Sequence, residues 1–498
     1  MDTSTNSTSA PAMAAPETRS LIAAAVMVAF YFVTSLYIAS HRLLWYDEIF
    51  TLHIAWLPGF HTLWTALAHA ADPPSYSMVV RMFGKLFGHS EVAARLPSTL
   101  AMVAGLLLTF DCARRLTDGL HGLIALSVLT CSILPYFGHE ARPYAIYFML
   151  AALTFWIWTG TRADGRWPAI FFGVVFFLGV TIHYYFVLCL VPYALWEILR
   201  WRPWRPPSPK LIAGVAAVVI SVALLYPMAK FFAREFSKSF WARPSLSLLE
   251  GVFSRLFPLG FFLLPLIVIW IVVVGARNKN TSAILPMESS ESVGWLFLCI
   301  PLAGFAVAEL KTNAYVSRYF IGALPGIAVA FSCWVWRHFR DTAYVSLGIF
   351  LLLMAAGVTV QVSVVHDPED LNGQSAITTK YLGLEQFLHN DGKRYILFFD
   401  HFLYLEGGYY SKYPDECILL LSSGVKQKGS SALYQEDRLL VNLSHYHPLQ
   451  FWQFDELREH AQETALIQPP PEVLEALKKA GFKPEVRFSE PLKVVYLQ

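Results

Sequence analysis

The sequence predicts a polytopic α-helical membrane protein with about eleven transmembrane helices, interfacial helices in the first outer loop and a C-terminal soluble α/β domain. Three observations predict it. Of the 498 residues 55% are hydrophobic and only 15% charged, against roughly 25% charged in an ordinary soluble domain, which makes lipid the solvent. Apolar runs of about 17 to 25 residues, the length that crosses a bilayer, recur as far as residue 363. Beyond residue 364 the apolar runs shorten and polar residues return.

In chain order, residues 1–19 are rich in Ser, Thr, Ala and Pro and are expected to form a disordered tail. Spans are expected at 20–40, 94–112, 119–137, 143–160, 167–183, 185–199, 210–229, 252–275, 293–309, 319–336 and 343–363. The division at His183-Tyr184-Tyr185 rests on length, because one helix over 167–199 overshoots a core of about 30 Å. Arg114 and Arg115, Arg162 and Arg166, Arg200 to Lys210, Arg277 and Lys279, and Arg337 and Arg340 fall in alternate loops. By the positive-inside rule the N-terminus is cytoplasmic and the C-terminal domain outside. Compact loops and the lack of a retention signal point to a bacterial inner membrane with a periplasmic C-terminal domain.

The transmembrane domain is expected over 20–363, and within it the first outer loop, 41–93, holds two amphipathic stretches. Leu63, Trp64 and Leu67, then Tyr76, Val79, Val80, Phe83, Leu86 and Phe87, have the helical spacing of segments lying in the interface plane. In 364–498, helices are expected at 381–389 and 473–480, and strands at 394–399, 417–421, 439–443 and the extreme end. Basic residues occur in short clusters and not as a stripe, so nucleic acid is not an expected partner. Five of six cysteines lie in or beside apolar runs, which implies no disulfide framework.

The sharpest chemical signal is Trp45-Tyr46-Asp47-Glu48, just past the first span. Adjacent helical side chains point about 100° apart, so the two carboxylates divide roles; as plain helix-terminal acids they would satisfy the dipole. Asp72-Pro73-Pro74, Glu140-Ala141-Arg142-Pro143-Tyr144, His183-Tyr184 and Arg318-Tyr319 all fall on the same outer side. Each has a plain alternative: a cap at Asp72, a helix start at Pro143, an interface histidine, a snorkelling arginine. Together they suit transfer from a lipid-phosphate sugar. The phosphate leaves without a proton, so one carboxylate base and guanidinium forks suffice. Asp47 is the candidate base, and direct displacement would invert the anomeric centre. Asp47, Asp72 and Glu140 would alternatively hold a divalent ion such as magnesium or manganese.

These motifs, with Pro325 opening a late span, resemble the C-type glycosyltransferase superfamily, in particular its protein O-mannosyltransferase and lipid A aminoarabinose transferase branch. The likeness extends over about the first 360 residues in motif order and topology. It implies a polyprenyl- or dolichyl-phosphate sugar donor, a protein, lipid or glycan acceptor, and an active site on the periplasmic or lumenal side. It implies Asp47 as base with Glu48 in support. Asp72, Glu140, Arg142, Tyr144, His183, Tyr184, Arg318 and Tyr319 would form the substrate site, with Arg318 near the lipid phosphate. That family often has His where this chain has Asp72, and acceptor contact, metal contact and cap all suit the position. The rival reading is a polyprenyl-lipid or small-solute transporter or flippase; broken helices with midplane acids would mark it, whereas these acids cluster at one boundary.

Overall fold

The computed structural model describes residues 15–68, 73–160, 165–201, 206–236, 242–258, 268, 270, 272, 287–366, 374–421 and 433–498. The chain opens with α1 (Ala15–His41), long enough to cross a bilayer. Three shorter helices follow, α2 (Tyr46–Ala55), α3 (Phe60–Leu67) and α4 (Pro74–Phe87). The apolar body continues with α5 (Glu91–Leu116), α6 (Gly119–Thr130), the single turn α7 (Leu134–Phe137), α8 (Tyr144–Thr159), α9 (Arg166–Ile182), α10 (Val191–Leu199) and α11 (Pro209–Phe236). After the short helices α12 (Leu246–Glu250) and α13 (Val252–Leu256) come α14 (Ser289–Thr312), α15 (Leu324–Phe339) and α16 (Ala343–His366).

Six of the described helical segments have the length and hydropathy of a membrane span, and four shorter apolar segments accompany them. Ten of the expected spans overlap these segments, although the one expected at 119–137 is helical only over Gly119–Thr130 and Leu134–Phe137. Most of the expected span at 252–275 lies outside the described residues, as do residues 1–14 of the expected disordered tail; residues 15–19 are instead the first turn of α1. The division at His183 is present: α9 ends at Ile182, His183 is extended (φ −154°, ψ 124°), and a 3-10 turn, Tyr184–Leu190, leads into α10. Ile22, Val26 and Val33 on α1, Phe171 on α9, Val219 on α11 and Leu351 on α16 are exposed. Apolar side chains at such positions are at home against lipid. The chain is a polytopic helical integral membrane protein.

The helices meet through small residues, as spans do where lipid removes the hydrophobic drive to associate. A Cβ on Gly105 of α5 would overlap the Phe148 ring on α8, and one on Gly357 of α16 would overlap Thr130 of α6. Caps are local: Ser90 accepts from Ala93 N at 3.1 Å to start α5, and Asp118 from His121 N at 3.1 Å to start α6.

The remaining chain forms α17 (Gln374–Asn390), β1 (Tyr395–Phe398), α18 (His401–Tyr410), β2 (Cys417–Leu420), α19 (Leu433–Ser444), β3 (Phe451–Trp452), α20 (Phe454–Glu459), β4 (Thr464–Ile467), α21 (Pro471–Lys479), β5 (Pro484–Phe488) and β6 (Val494–Leu497). The sheet order is β3-β2-β1-β4-β6-β5. The first four strands are parallel and joined by helices, as parallel neighbours require. All four residues of β2 and of β4 are buried, the mark of strands covered on both faces. The expected strand at 439–443 is instead helical, part of α19. Its inward residues are Leu440 and Leu443, spaced by three, so the run has helical period and not the alternation of a strand.

Candidate active site

α2 starts immediately after α1 and carries the adjacent acids in its first turn. Glu48 points inward and is 0% exposed. Its Oε1 accepts from Arg95 Nε at 2.8 Å and Ala141 N at 2.6 Å; its Oε2 accepts from Arg95 Nη2 at 2.7 Å, Trp45 N at 3.3 Å and Arg42 Nη2 at 3.4 Å. Burial opposes ionisation of Glu48, but Arg95 and Arg42 outweigh it and hold the carboxyl below the usual range. Arg95 gives its remaining hydrogen bonds to the Ala39, Arg42 and Leu43 carbonyls at 2.7–3.0 Å. One buried ion pair therefore fastens the end of α1, the start of α2, helix α5 and the loop before α8.

Asp47, one residue earlier, faces the other way with 30% of its side chain exposed. The Arg142 guanidinium donates through Nη1 to Asp47 Oδ2 and through Nη2 to the Tyr144 hydroxyl at 3.1 Å. Arg318, from the 3-10 turn Ser317–Ala323, donates through Nε to the same hydroxyl at 2.8 Å. Two cations thus converge on one phenol oxygen, with Asp47 beside them. Glu140 is only 2% exposed and lies 3.6 Å from Arg42. Burial, reinforced by Glu48 against the pull of Arg42, pushes its carboxyl up to about 7.

Aromatic rings close one side. His183 packs with Tyr147 at 5.2 Å, Tyr319 at 5.1 Å and Tyr144 at 5.6 Å between centroids. Trp45 and Tyr144 lie under the Arg142 guanidinium at 5.1 and 5.0 Å. Tyr184 is half-buried against the helical core. The structure therefore gathers Asp47, Glu48, Glu140, Arg142, Tyr144, His183, Arg318 and Tyr319; Asp72 lies outside the described residues. Sequence reading passed over Arg42 and Arg95. The signal for Arg95 was a cation inside an expected apolar span, which lipid tolerates only with a partner.

Of the three carboxylates in the divalent-ion alternative, Asp72 lies outside the described residues. Among them no three His, Cys, Asp or Glu side chains cluster to hold a metal. Asp47 and Glu140 both face arginines, which already supply positive charge.

Residues 71–226 match the family model described as dolichyl-phosphate-mannose-protein mannosyltransferase. Two solved structures of ArnT from Cupriavidus metallidurans superpose with TM-score 0.60 at 12% identity. The apo form matches 96% of this chain and 98% of its own, and the form bound to undecaprenyl phosphate 97% and 98%. This chain has the C-type membrane glycosyltransferase fold. The Archaeoglobus fulgidus oligosaccharyltransferase, in complex with zinc and sulfate, is matched at TM-score 0.42 and 10% identity, over 76% of this chain and 60% of its own. No curated protein sequence matches the chain. Within this C-type fold the matched stretch 71–226 takes in Glu140, Arg142, Tyr144 and His183, while Asp47 and Arg318 reach the same place from outside it.

Proposed function

We propose that the protein is an inverting glycosyltransferase that moves a sugar from a polyprenyl-phosphate donor to a hydroxyl of a protein, lipid or glycan acceptor, at the periplasmic face of a bacterial inner membrane. The observation that carries this reading is the convergence of Arg142 and Arg318 on the Tyr144 hydroxyl beside Asp47. Guanidinium pairs suit phosphate, which accepts bidentate hydrogen bonds and remains ionised. The family description and the undecaprenyl phosphate in the ArnT structure name ligands of the same chemistry.

Asp47 is the most accessible of the three described acids, against 0% for Glu48 and 2% for Glu140. It takes the acceptor hydroxyl proton as that oxygen attacks the anomeric carbon. The bond to the phosphate oxygen breaks, and its electron pair leaves on the lipid phosphate between Arg142 and Arg318. No proton is needed there, so a second acid is unnecessary, and one displacement inverts the centre. Glu48 positions α2, while Tyr144, His183, Tyr184 and Tyr319 contact substrate.

The test is transfer of radiolabelled sugar from a panel of polyprenyl-phosphate sugars by purified wild type and Asp47→Asn, with native membrane extract as acceptor. Wild type incorporates label, and Asp47→Asn loses about 10²–10⁴ of the rate, the span of general-base contributions, with polyprenyl-phosphate binding retained. If wild type consumes no donor while both proteins bind the lipid phosphate equally, lipid transport replaces this account.

A further inference from the structure

The C-terminal sheet unit meets the start of α2 through α18. α18 leaves the carboxyl end of β1, and in the order β3-β2-β1-β4 that end is where the parallel strands part to the two sides. Ligands of open α/β sheets bind outside the carboxyl ends of strands at such a point. Here the point is turned onto α2. Glu406 Oε1 accepts from Tyr46 N at 2.9 Å, and the Tyr410 hydroxyl accepts from Leu44 N at 2.6 Å. The Tyr46 ring packs against His401 at 5.6 Å and Phe402 at 4.9 Å between centroids.

His401 is out of keeping with that packing. The residue is 5% exposed, yet among the described residues neither Nδ1 nor Nε2 has a hydrogen-bond partner. Buried polar groups left unmet are costly and rare in folded proteins. Burial lowers the proton affinity of the ring, and the charges of Asp400, Asp437 and Asp47 oppose that effect. A neutral imidazole offers one N–H donor and one bare acceptor. A sugar hydroxyl, itself donor and acceptor, satisfies one of the two, and a neighbouring hydroxyl or water meets the other.

We propose that His401 contacts substrate, its ring taking a sugar hydroxyl beside Asp47, so that the C-terminal unit completes the site formed by the membrane helices. This rests on the transferase reading above. The hydroxyl belongs either to the transferred sugar or to the acceptor, and kinetics separates the two.

The experiment uses the full chain in detergent, comparing wild type with His401→Phe, which keeps the ring packed on Tyr46 and Phe402 while removing both nitrogens. The readouts are thermal stability, polyprenyl-phosphate binding, and transfer of labelled sugar from the donor that wild type accepts, with native membrane lipid extract as acceptor. The expected result is unchanged or higher Tm, unchanged lipid-phosphate binding, and kcat/KM lower by about tenfold or more, the scale of one hydrogen bond to a buried polar group. A raised KM for the donor assigns the hydroxyl to the transferred sugar; a raised KM for the extract alone assigns it to the acceptor. If His401→Phe does not fold, His401→Ala with added imidazole replaces it, and recovery of transfer by imidazole is then expected. Transfer equal to wild type in the folded Phe variant, or an Ala variant that imidazole leaves inactive, overturns the inference. Wild type that transfers from no donor refutes the transferase reading itself.

Discussion

Asp47 and Glu48 are neighbours in sequence with opposite surroundings. Glu48 has no exposed surface and five donors on its two oxygens; Asp47 has open surface and, among the described residues, one ion-pair partner. Breaking a buried ion pair leaves an uncompensated charge and costs about 3–5 kcal/mol. Arg95→Met also strands the Ala39, Arg42 and Leu43 carbonyls. Its Tm in detergent is therefore expected to fall sharply, whereas Asp47→Asn leaves Tm near wild type. Glu140 adds a pH dependence. Its folded carboxyl is raised from 4.5 to about 7, so between those values the folded chain holds a proton that the unfolded chain releases. Stability from this group is then lost as pH rises through that window. Wild-type Tm is expected to decline from about pH 5 to pH 7.5 more steeply than that of Glu140→Gln, and parallel profiles would refute the assignment.

At the scale of elements, α18 is the clamp on α2. The Tyr410 hydroxyl accepts from Leu44 N and donates to Glu91 Oε1, both at 2.6 Å, joining α18 to the α1–α2 link and to the first turn of α5. His447 adds a contact to the His53 carbonyl at 2.8 Å, at the far end of α2. A hydrogen bond to a charged group contributes about 1.5–3 kcal/mol. Tyr410→Phe removes that bond with the ring left in place. The expected outcome is faster amide hydrogen exchange over residues 44–55, with exchange in α5 and α8 unchanged, and slower transfer, because α2 carries Asp47. Exchange confined to the sheet unit would show that α18 does not hold α2.

At the scale of the molecule, the basic loops and the motif-bearing loops alternate along the chain. On the proposed orientation the sheet unit is outside and Arg200 inside. Both Lys412 and Arg200 are exposed, and five of the six native cysteines are buried. A membrane-impermeant maleimide added to intact cells is expected to label Lys412→Cys and to leave Arg200→Cys unlabelled until the cells are permeabilised. The reverse pattern inverts the orientation and moves the site to the cytoplasm.

The solvent, the helical body and the chemical groups on offer are all legible in the chain alone. Those are local properties: an apolar run of span length requires helix in lipid, and a motif such as Glu140-Ala-Arg142-Pro-Tyr144 sits where its own loop puts it. Helical period was legible even where it was misassigned, since Leu440 and Leu443 carry it inside α19. Which acid is buried, what Arg95 pairs with and where the C-terminal unit docks emerge only in the folded chain. Glu48 meets Arg95 47 positions away, and Tyr46 meets Glu406 360 positions away. A cation in an apolar span signals that Arg95 needs a partner, but neither segment says which, because burial and ion pairing depend on neighbours that only the folded chain supplies.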